Sequence, residues 1–258
     1  MGFYISSLSR ADIRCTKPHC DTQQAHHYQT APNYNYKWTD IHYEASRGNV
    51  DKLRSLLLTS IVSGKAQIDQ KDYYGKTPLY WAAYKGQKLC MELLLSYGAD
   101  VNSQCKHGGT PLHAAIGLFP ECVLLLIQHG ADTDLPDTWG VTPMYLAACS
   151  GQSECIQLLV QAGARITYKN KNTGEAPKQL ASKTALISWI ESYHKEPRSL
   201  KHACRLRIRG ALGPRRITAS RTFHIPLCLK EYLMFKDLEL QDCSAAPATA
   251  QTTPSGDC

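Results

Sequence analysis

One pattern returns along the middle of this chain at a nearly constant step, and it limits the possible folds more than any other feature. Gly75-Lys76-Thr77-Pro78-Leu79-Tyr80 recurs as Gly108-Gly109-Thr110-Pro111-Leu112-His113, then as Gly140-Val141-Thr142-Pro143-Met144-Tyr145, with a worn copy at Gly174-Glu175-Ala176-Pro177. A second marker, Gly-Ala, keeps phase with it at Gly98-Ala99, Gly130-Ala131 and Gly163-Ala164. Steps of about 33 residues define a stack of small supersecondary units. Within a unit, Thr predicts an N-cap and the following Pro occupies the first helical position, where a missing N–H costs nothing. Paired alanines (Ala82-Ala83, Ala147-Ala148) let two helices approach closely. Apolar runs at Met91 to Leu95, Val123 to Ile127 and Ile156 to Val160 supply the second helix, and the Gly of Gly-Ala ends it. No unit buries its own apolar face, so the units must stack.

Thr110-Pro111-Leu112-His113 and the period resemble the ankyrin repeat. Three irregularities stand out. Both markers lose one residue between Pro111 and Gly130, where Leu118-Phe119-Pro120 replaces the usual inter-helix Gly. This predicts a distorted turn with Phe119 near the surface. The first unit, Thr39-Asp40-Ile41-His42 to Leu58, carries about five extra residues, expected as a longer loop within Thr59 to Gln67. The last unit, Thr173 to Tyr193, is short, and Trp189 and Ile190 are expected to turn its second helix toward the segment that begins at Pro197.

That segment is of a different kind. Ser199 is a candidate N-cap after Pro197. Leu200, Ala203, Cys204, Ile208, Ala211 and Leu212 fall at three- and four-residue steps on one face, with Arg205, Arg207 and Arg209 on others, before Gly213-Pro214 ends the helix. A second apolar segment runs from Phe223 to Phe235. Two short amphipathic helices bury little between themselves, so their apolar faces need a partner in this chain or another.

The run Pro197 to Arg209 resembles the elongin-binding helix of a SOCS box. Leu200, Cys204 and Ile208 match the family's anchors in type and spacing, and the resemblance implies that they insert into elongin C. Phe223-His224-Ile225-Pro226, followed by Leu229 to Leu233, is similar to the family's cullin box. Ile225 and Pro226 fit it, while His224 stands where a Pro is expected, which implies a weaker cullin contact. The order of parts resembles the ankyrin repeat and SOCS box family. The implied fold is all-α: an ankyrin-repeat solenoid of four to five repeats with short β-hairpin loops, then a small helical SOCS box. The boundaries read as a disordered segment at 1–36, repeats at 37–195, the box at 196–237 and a disordered tail at 238–258.

Composition is consistent with this. The chain has 258 residues, 43% apolar and 20% charged, with a net charge of +7. No apolar run is long enough to span a membrane. Eleven cysteines scattered through helical segments suit a reducing compartment, so a cytoplasmic and also nuclear location is expected. Much of the positive charge sits between Arg198 and Arg221. It would suit an acidic partner or nucleic acid, but the apolar spacing beneath it favours a protein groove. Cys15, His19, Cys20, His26 and His27 match no standard zinc spacing, and Met1 to Ser6 fits only the loose myristoylation pattern. No nucleophile–base set, phosphate loop, cofactor site or metal site is read, so the chain is not expected to be an enzyme.

The family resemblance implies a substrate receptor of an elongin B/elongin C–cullin-5 type ubiquitin ligase with its RING subunit. Its repeats would hold a target protein for ubiquitination. Ankyrin tips and first-helix faces usually bind partners, and the candidates there are Tyr73, Tyr74, Tyr84, Lys85, His107 and Trp139, with Lys76, Thr138 and Cys149 at similar positions. These rings could equally pack on the neighbouring repeat. Trp81 is expected in the core, and His42 and His113 in hydrogen bonds between loops. The competing reading is a plain ankyrin scaffold whose C-terminal segment packs internally.

Overall fold

The computed structural model describes residues 38–62, 68–165, 172–174, 188, 203–205, 207–209, 211 and 226–235. Helix pairs succeed one another: α1 (Asp40–Arg47) and α2 (Val50–Val62), α3 (Pro78–Lys85) and α4 (Lys88–Ser96), α5 (Pro111–Ala115) and α6 (Pro120–Gln128), α7 (Pro143–Ser150) and α8 (Ser153–Gln161), and finally α9 (Leu227–Leu233). Among the described residues there is no strand. The first helices of the units stack on one another in one layer, and the second helices in another. Leu79, Leu112 and Met144 from the first layer meet Met91, Leu94, Leu126 and Ile156 from the second, all buried.

The repeated motif explains each helix start. Thr77 and Thr142 sit in extended backbone, and their hydroxyl oxygens accept the N–H groups of Tyr80 and Tyr145 at 3.3 and 3.2 Å. Such a cap contributes about 1 kcal/mol. Ala82, Ala83, Ala115 and Ala147 are completely buried, which permits the close approach of neighbouring first helices.

The loops between units carry the tips. Asp72 accepts the N–H groups of Tyr74 and Lys76 on one carboxylate oxygen, and Asp137 accepts those of Trp139 and Val141. Each tip is also bonded to the next through the main chain, Lys106 N–H to Tyr74 C=O at 2.9 Å and Thr138 N–H to His107 C=O at 3.0 Å. His42 and His113 bridge loops as expected: their Nε2 atoms meet the carbonyls of Lys76 and Val141, each at 3.2 Å. Trp81 is core, 2% exposed, and its indole N–H donates to Asp72 at 2.9 Å.

The irregular third unit differs from the sequence reading. The shortened α5 stops at Ala115, three residues earlier than its neighbours, with Ile116 as its C-cap; Gly117, with φ of 90°, follows in a longer link before α6. Leu118 is the exposed residue of this turn, whereas Phe119 packs against the core. The reason is a space left by the preceding unit. Gly86 has no side chain, and a Cβ there would lie 2.5 Å from the Phe119 ring. The first unit also departs from expectation, because the extra residues through Val62 lengthen α2 to 13 residues rather than forming loop. The other second helices have nine.

The expectations for residues 1–36, Trp189, Ile190, Leu200, Leu212, Phe223, His224, Ile225 and the tail fall outside the described residues.

Candidate functional site

Two surfaces stand out, and the first belongs to the helical residues 203–205, 207–209 and 211. An α-helix turns about 100° per residue, so positions 204 and 208 form one row and 205 and 209 the next. The sequence puts Arg205, Arg207 and Arg209 on faces other than that of Cys204 and Ile208, without saying what those faces meet. The structure turns two of them inward: Arg205 is 4% exposed and Arg209 is 9% exposed. Cys204 and Ile208 face out, with Ile208 41% exposed. Amphipathic spacing alone could not reveal this, because the burying surface comes from elsewhere in the chain.

That surface is Phe235, Tyr232 and the end of α6. Phe235 follows α9 in a left-handed conformation, with φ of 52°, and its ring is buried. The Arg209 guanidinium lies 4.4 Å from the centre of that ring, and Arg205 lies 4.6 Å from it and 3.6 Å from the ring of Tyr232. Arg209 donates to the carbonyls of Leu233 and, at 2.6 Å, Ile127. Gln128 donates to the carbonyl of Phe235 at 3.4 Å. Both carbonyls and the ring face are electron-rich, so the buried cation is solvated by the fold. Burial pushes Arg209 down to about 10, and the neighbouring Arg205 charge acts in the same direction. It therefore stays cationic at neutral pH. The segment docks on the third helix pair. Pro226, just before α9, is exposed, and Leu229 is partly exposed.

The second surface is the row of tips and first helices. Tyr73 is 58% exposed, meets Tyr74 edge-on at 5.3 Å, and carries Lys106 Nζ 4.2 Å from its ring centre. His107 stacks on Trp139 at 5.1 Å, so that Trp is half-buried against the neighbouring tip rather than fully presented. Lys76 Nζ lies within 5.7 Å of the ring centres of Tyr74, Tyr80 and Trp81. Tyr84 meets Trp81 edge-on at 5.9 Å, with Lys85 5.5 Å from its ring. Tyr73, Tyr74, His107 and Trp139 are thus brought together on consecutive tips. Tyr84 and Lys85 stand at the other end of α3, about 9 Å along its axis. Lys106 and the cation-on-ring arrangement were not read from the sequence. The signal for them was the placement of a Lys at successive tips.

Two family models match this chain, one for ankyrin repeats in three copies at residues 13–105 and 90–170, and one for the SOCS box at 196–234. The chain belongs to the ankyrin repeat and SOCS box family. It is similar to Ankyrin repeat and SOCS box protein 5 of Mus musculus, at 32% identity over 162 residues, 62% of this chain and 49% of that protein. It resembles Ankyrin repeat and SOCS box protein 11 of Homo sapiens at 29% over 167 residues, 65% and 51% of the two chains. The similarity to Ankyrin repeat and SOCS box protein 9 of Mus musculus is 34% over 158 residues, 61% and 54%. The chain therefore spans about half the length of the curated relatives it matches.

In this ankyrin repeat and SOCS box chain, burial holds titratable groups of the repeat core in their neutral forms. Cys90, Cys122 and Cys155 are buried, and burial pushes each thiol up to about 11, which leaves them protonated and unreactive at neutral pH. His113 is held neutral, pushed down to about 4 by burial. Among the described residues no group of three or more metal-ligating side chains assembles, and no helix is long and apolar enough to cross a membrane.

Proposed function

We propose that this protein is the substrate-recognition subunit of an elongin B/elongin C–cullin-5 type ubiquitin ligase, with repeats over 37–195 holding the target and a box over 196–237 joining the ligase. One observation carries this reading. Cys204 and Ile208 stay open to solvent on a helix that buries Arg205 and Arg209 instead. An apolar row one turn apart, facing away from its own molecule, fits helix-in-groove recognition by elongin C. With Leu200 it completes the three-anchor spacing of the SOCS box.

Pro226 and Ile225 would meet the cullin, which carries the RING subunit. His224 in place of a Pro would make that contact weaker. Ubiquitin transfer then results from proximity, since a tethered target reaches a high effective concentration near the charged conjugating enzyme. Such a receptor works in the cytoplasm or nucleus and needs no catalytic residue of its own.

The test is co-purification of the full chain with elongins B and C. Leu200→Ala with Cys204→Phe, or Ile208→Glu alone, should abolish the complex; for Ile208→Glu the thermal midpoint should stay within about 2 °C of wild type, since exposed substitutions rarely change stability. Retention of both elongins by Ile208→Glu would defeat the proposal and favour a plain ankyrin scaffold.

A further inference from the structure

The tips and first helices of the second, third and fourth units share a property that the first helix of the first unit, with Asp40 and Glu44, lacks. Residues 73–87, 106–119 and 138–152 contain no Asp or Glu. They do contain Lys76, Lys85, Lys106 and His107. The acids of these units lie on the opposite layer, at Glu92, Glu121 and Glu154 of the second helices, or at the base of the tips. There, Asp72 and Asp137 are engaged by backbone N–H groups, and Asp72 also by the Trp81 indole. In the first unit Glu44 is paired with Lys52 at 2.6 Å. That pair and Arg165–Asp134 both lie away from this face.

The cations of this face are also positioned. Lys106 stands on the Tyr73 ring, Lys76 among three rings, and Lys85 on Tyr84. A ring beneath an ammonium group restrains its long stem, so less side-chain entropy is lost when an anion arrives. The same arrangement argues against nucleic acid. Base stacking needs open ring faces, whereas here cations occupy faces of Tyr73 and Tyr84, and His107 covers a face of Trp139. What a partner meets is ammonium groups beside aromatic edges.

We propose that the target is captured through an acidic protein segment, rich in Asp and Glu, laid across the tips and along the first-helix face so that its carboxylates meet Lys76 and Lys106 at the tips and Lys85 at the far end of α3. This rests on the receptor reading above and names the chemistry of what it receives. Carboxylates at the charged rim would set the encounter rate and salt dependence, and apolar residues between them would pack on the Tyr73 and Tyr84 edges.

The experiment uses the full chain and three fluorescein-labelled peptides of one length: alternating Glu with Leu and Tyr, the same with Gln for Glu, and the same with Lys for Glu. A single-stranded oligonucleotide is the fourth probe, and anisotropy is the readout. The Glu peptide should bind, and should weaken roughly tenfold in Lys85→Glu/Lys106→Glu and by a similar factor between low and high salt. Both side chains are exposed, so the variant should keep its melting temperature. Equal binding of Gln and Glu peptides, unchanged binding by the double variant, tighter binding of the oligonucleotide, or no binding of the Glu peptide would each overturn the proposal. Elongin co-purification, run on the same wild-type and variant samples, reports separately on the receptor reading. Elongin retained with no peptide bound defeats the acidic-segment inference alone, and elongin lost from wild type defeats the receptor.

Discussion

Arg209 donates to the main-chain carbonyl of Ile127 at 2.6 Å, joining positions 82 residues apart in the chain. The same side chain donates to the Leu233 carbonyl and lies over the Phe235 ring. One cation thus ties the box region to the second helix of the third unit. Arg209→Ala removes the charge and leaves two buried carbonyls without it, a loss of about 3 kcal/mol of docking energy. The repeats should stay folded. Hydrogen exchange should show the α9 amides exchanging about a hundredfold faster, with α3 to α5 unchanged. Unaltered protection of α9 would mean that Arg209 does not dock the segment. Arg209→Lys should fall between, because an ammonium does not reproduce the planar fork.

Acid should weaken the repeats through His113. Its Nε2–H faces the Val141 carbonyl, so Nδ1 is the acceptor that receives the Thr110 backbone N–H at 3.2 Å. Protonation would turn that acceptor into a donor. The folded value is about 4, against about 6.5 in the unfolded chain. Between those values the unfolded state holds more protons. The stabilisation is therefore complete above about pH 6.5 and is lost as pH falls toward about 4, amounting to about 3 kcal/mol. His42 is shifted in the same direction by burial, and Asp137, pushed up by burial, opposes them. Urea unfolding of wild type and His113→Asn at about pH 7 and about pH 4.5 checks it: the wild type should lose clearly more stability than the variant. Parallel losses would assign the acid sensitivity elsewhere.

The third tip lacks a bond that its neighbours have. Cys105 occupies the place of Asp72 and Asp137, whose carboxylates accept two N–H groups each. Cys105 N–H and the Gly109 carbonyl are joined at 3.0 Å, so the turn itself is already formed. Cys105→Asp should add the two missing acceptor contacts, to the N–H groups of His107 and Gly109, and raise stability by about 1 kcal/mol. A denaturant midpoint equal to or below wild type would refute this.

Gly86 and Phe119 should behave as a coupled pair. Gly86→Ala meets two obstacles, a φ of 73° and the Phe119 ring at 2.5 Å. The backbone strain alone is about 1 kcal/mol, and displacing the ring adds about 1–3 kcal/mol. In a Phe119→Ala background only the first part should remain. A double-mutant cycle giving a coupling below about 0.5 kcal/mol would show that the ring moves aside freely.

These cases divide what the chain states openly from what it conceals. Helix starts at Thr77, Thr110 and Thr142 were legible because a cap, a proline and an apolar step are local features. The buried state of Trp81 followed from its place in the repeat. The exposure of Cys204 and Ile208 accords with the spacing, but the burial of Arg205 and Arg209 does not follow from it. Inward cations require Phe235 and Ile127, partners that only the folded chain assembles. The irregular turn at Phe119 was legible, but not the half-burial of its ring, since the space that receives it is the missing side chain of a glycine one unit earlier.

The tip-to-tip bonds, from Lys106 N–H to Tyr74 C=O and from Thr138 N–H to His107 C=O, have a geometric consequence. They make the edge of the stack a comb whose teeth keep a pitch close to the roughly 10 Å between packed helices. A pleated strand laid along it, returning to the same side every two residues or about 6.7 Å, would slip out of step. A polyproline-type helix climbs about 9 Å in three residues and returns to the same side each time. A sequence that engages every tooth should therefore repeat its anchoring residues in threes.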